Sequence, residues 1–65
     1  MTLPKYQIGD RFLYHLPAFK IAYEGEVIDI QHHPIQGWCY SLAFKESHLT
    51  ASEKDLDSWY KVKTA

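Results

Sequence analysis

Four groups of side chains in this chain have types and spacings that could do chemistry. The first is aromatic: five Tyr, three Phe and two Trp among 65 residues. Aromatic faces attract cations and pack against polyproline II helices. Tyr14, Tyr23, Trp38, Tyr40 and Trp59 are therefore candidates for a cage around a cationic or proline-rich ligand. The same rings are also the obvious material for a core, since each can bury ~150–250 Å². Core packing is the first expectation for any single one of them. Tyr14 and Tyr60 are the two whose strand neighbours leave a solvent-facing position open.

The second group is His15, His32, His33 and His48. Zinc needs three or four ligands at defined spacing. The adjacent pair His32-His33, joined by Cys39 and His48, is the only set to consider, and it has no C-x-x-C or H-x-x-x-H spacing. Adjacent strand residues also point to opposite faces. The reading is solvated loop histidines, with no metal and no cofactor. With an ordinary pKa near ~6.5, an exposed pair can still make binding pH-sensitive.

Cys39 is the third. As the single cysteine it cannot form an intramolecular disulfide. A catalytic thiol needs a nearby base and a depressed pKa. His32 or His33 across a hairpin could supply the base, but a lone Cys between Trp38 and Tyr40 reads as a small buried hydrophobe. The fourth group is acidic: Glu24, Glu26 and Asp29, then Glu53, Asp55 and Asp57. Together they could steer a basic partner. Glu24 and Glu26 alternate against Tyr23 and Gly25, which is also the pattern of an ordinary solvated face. No catalytic motif is present, and no residue is assigned a catalytic role.

The charge balance narrows the partner class. Seven Lys+Arg stand against eight Asp+Glu. Nucleic-acid affinity rests largely on phosphate neutralisation, which calls for a basic excess. The lysines are scattered instead of clustered. No apolar run approaches the ~20 residues that span a bilayer, and the start of the sequence has no apolar segment resembling a signal peptide. A cytoplasmic location with no membrane contact is expected. The length is that of one small domain, about 60% buried on folding, with a core worth ~3–5 kcal/mol.

The elements that must position these groups are short strands. Gly9-Asp10 is a turn dipeptide: Gly accepts positive φ, and Asp can hydrogen-bond nearby backbone. A first strand follows, with Phe12, Tyr14 and Leu16 on one face, and Pro17 ends or interrupts it. A second strand runs from about Ile21 to Gln31. Tyr23, Gly25 and Val27 share a face, after which Ile28 and Ile30 carry the apolar positions one residue out of phase. A bulge makes that flip, and Gly25 marks a bend or a close backbone approach. His32 to Gly37 reads as a hairpin loop. In the third strand Trp38, Tyr40, Leu42 and Phe44 alternate strictly with Cys39, Ser41, Ala43 and Lys45. Glu46-Ser47 turns the chain into a fourth strand at His48-Leu49-Thr50. Ser52 is an N-cap with Asp55 three residues on, and Leu56 is the buried residue of a single helical turn. Trp59, Tyr60 and Val62 form a last strand that closes against the first.

In their order these signals resemble the SH3-like barrel superfamily in its small Tudor-like form. The matching pieces are the Gly9-Asp10 opening, the Tyr23, Gly25, Val27 set, the aromatics Trp38, Tyr40 and Phe44, and the turn from Ser52 to Leu56. The resemblance spans Tyr6 to Val62. It implies an all-β, five-stranded SH3-like barrel with one short helical turn near the C-terminus. Members bind proline-rich peptides, methylated side chains, nucleic acids or protein subunits. The plasmid-borne dihydrofolate reductases are similar in their Gly-Asp-Arg opening and third strand. Their active-site stretch Val-Gln-Ile-Tyr would fall near His48-Leu49-Thr50, which does not match it.

The function expected is a non-enzymatic protein-binding or adaptor module, of the size of a small bacterial or phage accessory protein. Its partner is another protein or a second copy. The contact residues expected are Tyr14, Trp59 and Tyr60, on edge strands around Arg11–Leu16 and Trp59–Val62 where Lys61 and Lys63 are the guarding charges. Nucleic-acid binding through the barrel face and an oligomeric enzyme with a shared pore are the alternatives.

Overall fold

The computed structural model describes residues 3–16 and 21–63. The strand-ending role expected of Pro17 lies outside the described residues. Strands β1 (Arg11–Leu16), β2 (Ile21–His33), β3 (Gly37–Ala43) and β4 (His48–Ser52) precede the helix α1 (Glu53–Asp57) and strand β5 (Tyr60–Val62). All pairs are antiparallel, in the order β4-β3-β2-β1-β5. The fold is all-β and barrel-like, and β5 does return to β1. The sheet is nevertheless not closed, because β4 and β5 remain its two ends.

Strand β2 explains how so few strands enclose a core. Residues 21–26 pair with β1 and residues 26–33 with β3, so one long strand serves both halves of the sheet. The phase change read at Val27-Ile28 is a real irregularity: the β2–β3 register shifts between Val27 and Asp29. Val27 is fully buried before it, and Ile28 lies exposed within it. At the start of β1 the Gly9-Asp10 turn forms as its residue types require. Gly9 has φ +96°, and the Asp10 carboxylate accepts from Gln7 N–H at 2.9 Å. Val27 N–H donates to Asp10 O at 2.8 Å, and Gly9 N–H to Val27 O at 2.9 Å, which ties the turn to β2.

Several boundaries differ from the sequence reading: β3 ends at Ala43, before Phe44, and β4 runs on past Thr50 to Ser52. The hairpin loop is shorter, since His32 pairs with Trp38 and His33 with Gly37. The turn proper is 34–36, held by His33 Nδ1, which accepts from Ile35 and Gln36 N–H at 3.2 Å each. The last strand begins at Tyr60 and not Trp59, because Trp59 N–H still closes the helix by donating to Leu56 O at 3.0 Å. The expected edge at Arg11–Leu16 is corrected in its first half. Strand β1 is flanked by β2 and, over Arg11, Phe12 and Leu13, by β5.

The core consists of Tyr6, Phe12, Val27, Tyr40, Leu42, Ala51 and Leu56, with Ile30, Trp38, Phe44 and Trp59 half-buried around it. Tyr40, Leu42 and Val27 are buried as the period-two pattern required. The Ser52 cap is complete: its Oγ accepts from Asp55 N–H at 3.2 Å, and the Asp55 carboxylate accepts from Ser52 N–H at 3.4 Å. Ser52 is at once the last residue of β4 and the first cap of α1.

Two substitutions test this frame. Leu42→Ala should cost ~2–5 kcal/mol, close to the whole stability of so small a domain. Ser52→Ala should cost ~0.5–2 kcal/mol through the lost cap. Chemical unfolding of both variants measures the difference. A Leu42→Ala chain as stable as the parent would contradict the core.

Candidate binding groove at the open end of the sheet

One end of the sheet is sealed by long-range bonds to the segment before β1. Tyr6 packs edge-on against Phe12 and Tyr40, with ring centroids 4.9 Å and 5.6 Å away. The Tyr40 hydroxyl donates to Glu53 Oε2 at 2.6 Å and accepts from Tyr6 N–H at 3.2 Å. Glu53 also accepts from Lys5 N–H at 2.9 Å. The Tyr6 hydroxyl donates to Asp57 Oδ1 at 2.5 Å, and the Lys5 ammonium meets the same oxygen at 2.9 Å. Burial, then the bond to Glu53, pushes the Tyr40 phenol up to about 12. Burial, then Asp57, raises Tyr6. The Tyr6 hydroxyl, then Lys5, holds Asp57 below the usual carboxylate range.

Five of the six acidic residues read from sequence as a steering patch are engaged within the molecule, while Asp29 meets only the exposed Gln31 side chain at 3.0 Å. Glu53 and Asp57 hold the lead-in segment, and Asp55 completes the cap. Glu24 and Glu26 lie 2.6 Å and 3.1 Å from the Arg11 guanidinium. Lys5 and Lys61 also sit beside carboxylates, Asp57 and Asp10. Three of the basic side chains are therefore spoken for by acids of the same molecule.

The opposite end stays open. Residues two apart on a strand share a face. Phe12 faces Gly25 across the β1–β2 ladder, and the next inward pair is Tyr14 with Tyr23. Phe12 is fully buried, Tyr14 is half-buried, and Tyr23 is 45% exposed. From β3 the same inward set continues from buried Leu42 to half-buried Phe44, one residue past the end of the strand. The strands outrun their core, and their inward side chains emerge as a floor. Gly25 shapes that floor: a Cβ there would lie 2.7 Å from the Phe44 ring, so only glycine lets the ring rest on the β2 backbone. This is the close approach that a strand glycine signals.

Tyr14, Tyr23, Phe44 and Leu49 line a groove of about 650 Å³ whose rim carries Lys45, Glu46 and His48. The rim charges offset each other. Tyr14 also stacks on Trp59, centroids 4.8 Å apart and planes 27° from parallel. On the far side of that stack lies a second groove, about 560 Å³, lined by Tyr14, Trp59 and Tyr60 together with Leu13 and His15. It forms where β5 stops, because β5 pairs with β1 only as far as Leu13. Tyr60 is 61% exposed there. The structure therefore brings Tyr14, Trp59 and Tyr60 together and adds Tyr23 and Phe44. Of the other rings considered for a cage, Tyr40 is core, and Trp38 stands at the other end of β3 against His32, centroids 4.9 Å apart.

The nucleophile and metal readings find no support in the geometry. Cys39 pairs across the hairpin with Gln31, and its Sγ lies 3.7 Å from Gln36 Oε1. His33 Nδ1 is occupied by the turn amides. Among the described residues no three His, Cys, Asp or Glu side chains are grouped to hold a metal ion. Among them, too, no helix is long and apolar enough to cross a membrane.

Sequence reasoning missed Tyr6. It sits before the first strand, where no periodicity marks it, and its hydrogen-bond partners are more than thirty positions away. The only hint was an aromatic placed between Pro4 and the Gly9-Asp10 turn.

The sealed end sets a pH dependence. A phenol raised above its ordinary value of ~10 adds stability that is complete below that pH. The contribution is lost as pH rises through the folded value of about 12. Asp57 acts in the other direction: its contribution is present above the ordinary carboxylate range and lost as pH falls below it. Tyr40→Phe should therefore be less stable at neutral pH, with a flatter alkaline limb. Urea unfolding against pH, with ultraviolet titration of the tyrosinates, checks both. An alkaline limb unchanged in Tyr40→Phe would remove Tyr40 as its cause.

No family model, curated protein or solved structure matches the chain, so its function has to be read from these side chains and their geometry.

Proposed function

We propose that this chain is a non-enzymatic protein-binding module of the SH3-like barrel type, working in the cytoplasm. Its contact surface is the aromatic floor at the open end of the sheet. The observation that carries the reading is the Tyr14–Trp59 stack, which divides two adjoining apolar grooves and stands beside the exposed ring of Tyr60. Tyr and Trp give large contact area with few rotatable bonds, and they dominate interface energetics. The strand order and the helical turn before β5 support the barrel assignment. The free thiol and the absence of any possible internal disulfide fit a reducing compartment.

The arrangement of the polar groups near the grooves favours contact over catalysis. His15 and His48 stand on different grooves, and no hydrogen bond joins His48 to the neighbouring Ser47 or His15 to Ser58. Charge argues for protein over nucleic acid, since Lys5, Arg11 and Lys61 already face carboxylates. A phosphate backbone would have to compete with them.

Capture from lysate of the source, compared between the parent, Tyr14→Ala, Trp59→Ala and Tyr60→Ala, tests the surface. Circular dichroism first establishes that each variant is folded. At least one replacement should weaken the captured interaction by roughly tenfold or more, the ~1.4 kcal/mol step typical of an anchor. Gel shifts with single- and double-stranded DNA and RNA near physiological salt should show nothing tighter than about 10⁻⁶ M. Submicromolar, steeply salt-dependent nucleic-acid binding, or folded variants that keep every partner, would overturn the proposal.

A further inference from the structure

The two edges of the sheet are built differently. Strand β5 is three residues long, with Lys61 at its centre and Lys63 just after it. Short length and lysine both blunt an edge against unwanted pairing. Strand β4 has five residues, His-Leu-Thr-Ala-Ser, without Lys, Arg, Asp, Glu or Pro. Its ladder with β3 runs without a register shift, so no bulge bends it away either.

The hairpin shows which backbone groups of β4 point away from β3. Phe44 N–H donates to Ser47 O at 2.8 Å. Hydrogen-bonded and non-hydrogen-bonded pairs alternate along an antiparallel ladder. The Leu42–Leu49 and Tyr40–Ala51 pairs therefore exchange bonds with each other. His48, Thr50 and Ser52 turn their amides and carbonyls outward. Ser52 N–H confirms the direction, since it reaches the Asp55 carboxylate instead of β3. Thr50, with its side chain exposed, stands at the middle of this free edge.

We infer that β4 is a self-association edge, on which a second copy of the chain pairs antiparallel about a two-fold axis at Thr50. In that register the two Thr50 residues exchange N–H···O bonds. Leu49 of one copy faces Ala51 of the other, and His48 faces Ser52. Leu49 and Ala51 belong to the same face of the sheet, so apolar meets apolar and the two sheets continue with their inner faces on one side. Thr–Thr and apolar cross-strand pairs are favourable, and no like charges meet. A two-fold contact uses the same patch twice, which a strand of this composition can do. A contact of five residues is small beside the ~1,200 Å² of a stable complex. Association is therefore weak, with a dissociation constant of roughly 10⁻⁴–10⁻³ M. The inference does not rest on the aromatic groove.

Sedimentation equilibrium and NMR diffusion over a concentration series up to about 1 mM test it, using the parent, Thr50→Lys, Thr50→Glu and an equimolar mixture of the two variants. The outward position of Thr50 leaves the β3 ladder intact, and circular dichroism establishes the fold. The parent should dimerise as concentration rises. Each variant alone should associate at least tenfold more weakly, because like charges meet on the axis. The mixture should recover dimer, because opposite charges then meet. Tyr60→Ala should dimerise like the parent, which separates this edge from the proposed partner surface. A parent that stays monomeric throughout, single variants that associate unchanged, or a mixture that recovers nothing would overturn the inference.

Discussion

A small sheet that does not close must cover its inner face with something other than strands, and here the cover converges on Tyr40. Its ring lies in the core, and its hydroxyl both donates to Glu53 and accepts from Tyr6 N–H. Those two bonds join β3, α1 and the segment before β1, which are remote in sequence. Removing the hydroxyl would leave a carboxylate and an amide to find new partners, and stranded polar groups cost more than the bond itself contributes. The packing of Tyr6 on Phe12 and the seating of Leu56 both depend on those segments meeting there. Among the described residues, no buried side-chain nitrogen or oxygen lacks a partner, so the arrangement closes its own polar accounts.

Sealing one end has a consequence for the other. Tyr6 and Leu56 lie over the same end of β1 and β3, and they fill the space between the two halves of the sheet only there. Beyond Phe12 and Leu42 the inward positions of β1, β2 and β3 have no such cover. Tyr14, Tyr23 and Phe44 emerge because the strands are longer than the plug is wide. Apolar rings at a mouth of this kind are expensive to leave wet, unless the exposure serves contact. The stack with Trp59 relieves part of the cost for Tyr14, and Gly25 relieves part for Phe44 by letting the ring lie flat.

Much of this was legible wherever the cause is local. The period of two from Trp38 to Phe44 located the core face of β3. The slip at Val27-Ile28 located the irregularity in β2, and Ser52 with Asp55 located the start of α1. Tyr14, Trp59 and Tyr60 were legible as contact candidates from residue type alone, and the fold places them on one groove. What was not legible depends on register between distant strands. That Tyr14 stands opposite Tyr23, that β5 stops at Leu13, and that Glu53 and Asp57 serve Tyr40, Tyr6 and Lys5 are facts of pairing. Sequence gives a carboxylate no address for a partner fifty positions away. Glu53, Asp55 and Asp57 therefore looked like part of a surface patch when they are fastenings.

Edges follow the same logic. Strand composition suggested Arg11–Leu16 and Trp59–Val62 as edges. The return of β5 covers the first half of β1, so the sheet ends at β5 on that side and, on the other, at β4. The aromatic floor and that edge then turn out to be neighbours. Leu49 is the last apolar residue of the floor and also a β4 residue, and its partner Leu42 is in the core. A strand added beyond β4 would extend the wall of the groove at Leu49 and His48. Pairing at that edge and contact at the first groove share Leu49 and His48, whereas the second groove, beside Trp59 and Tyr60, contains no β4 residue.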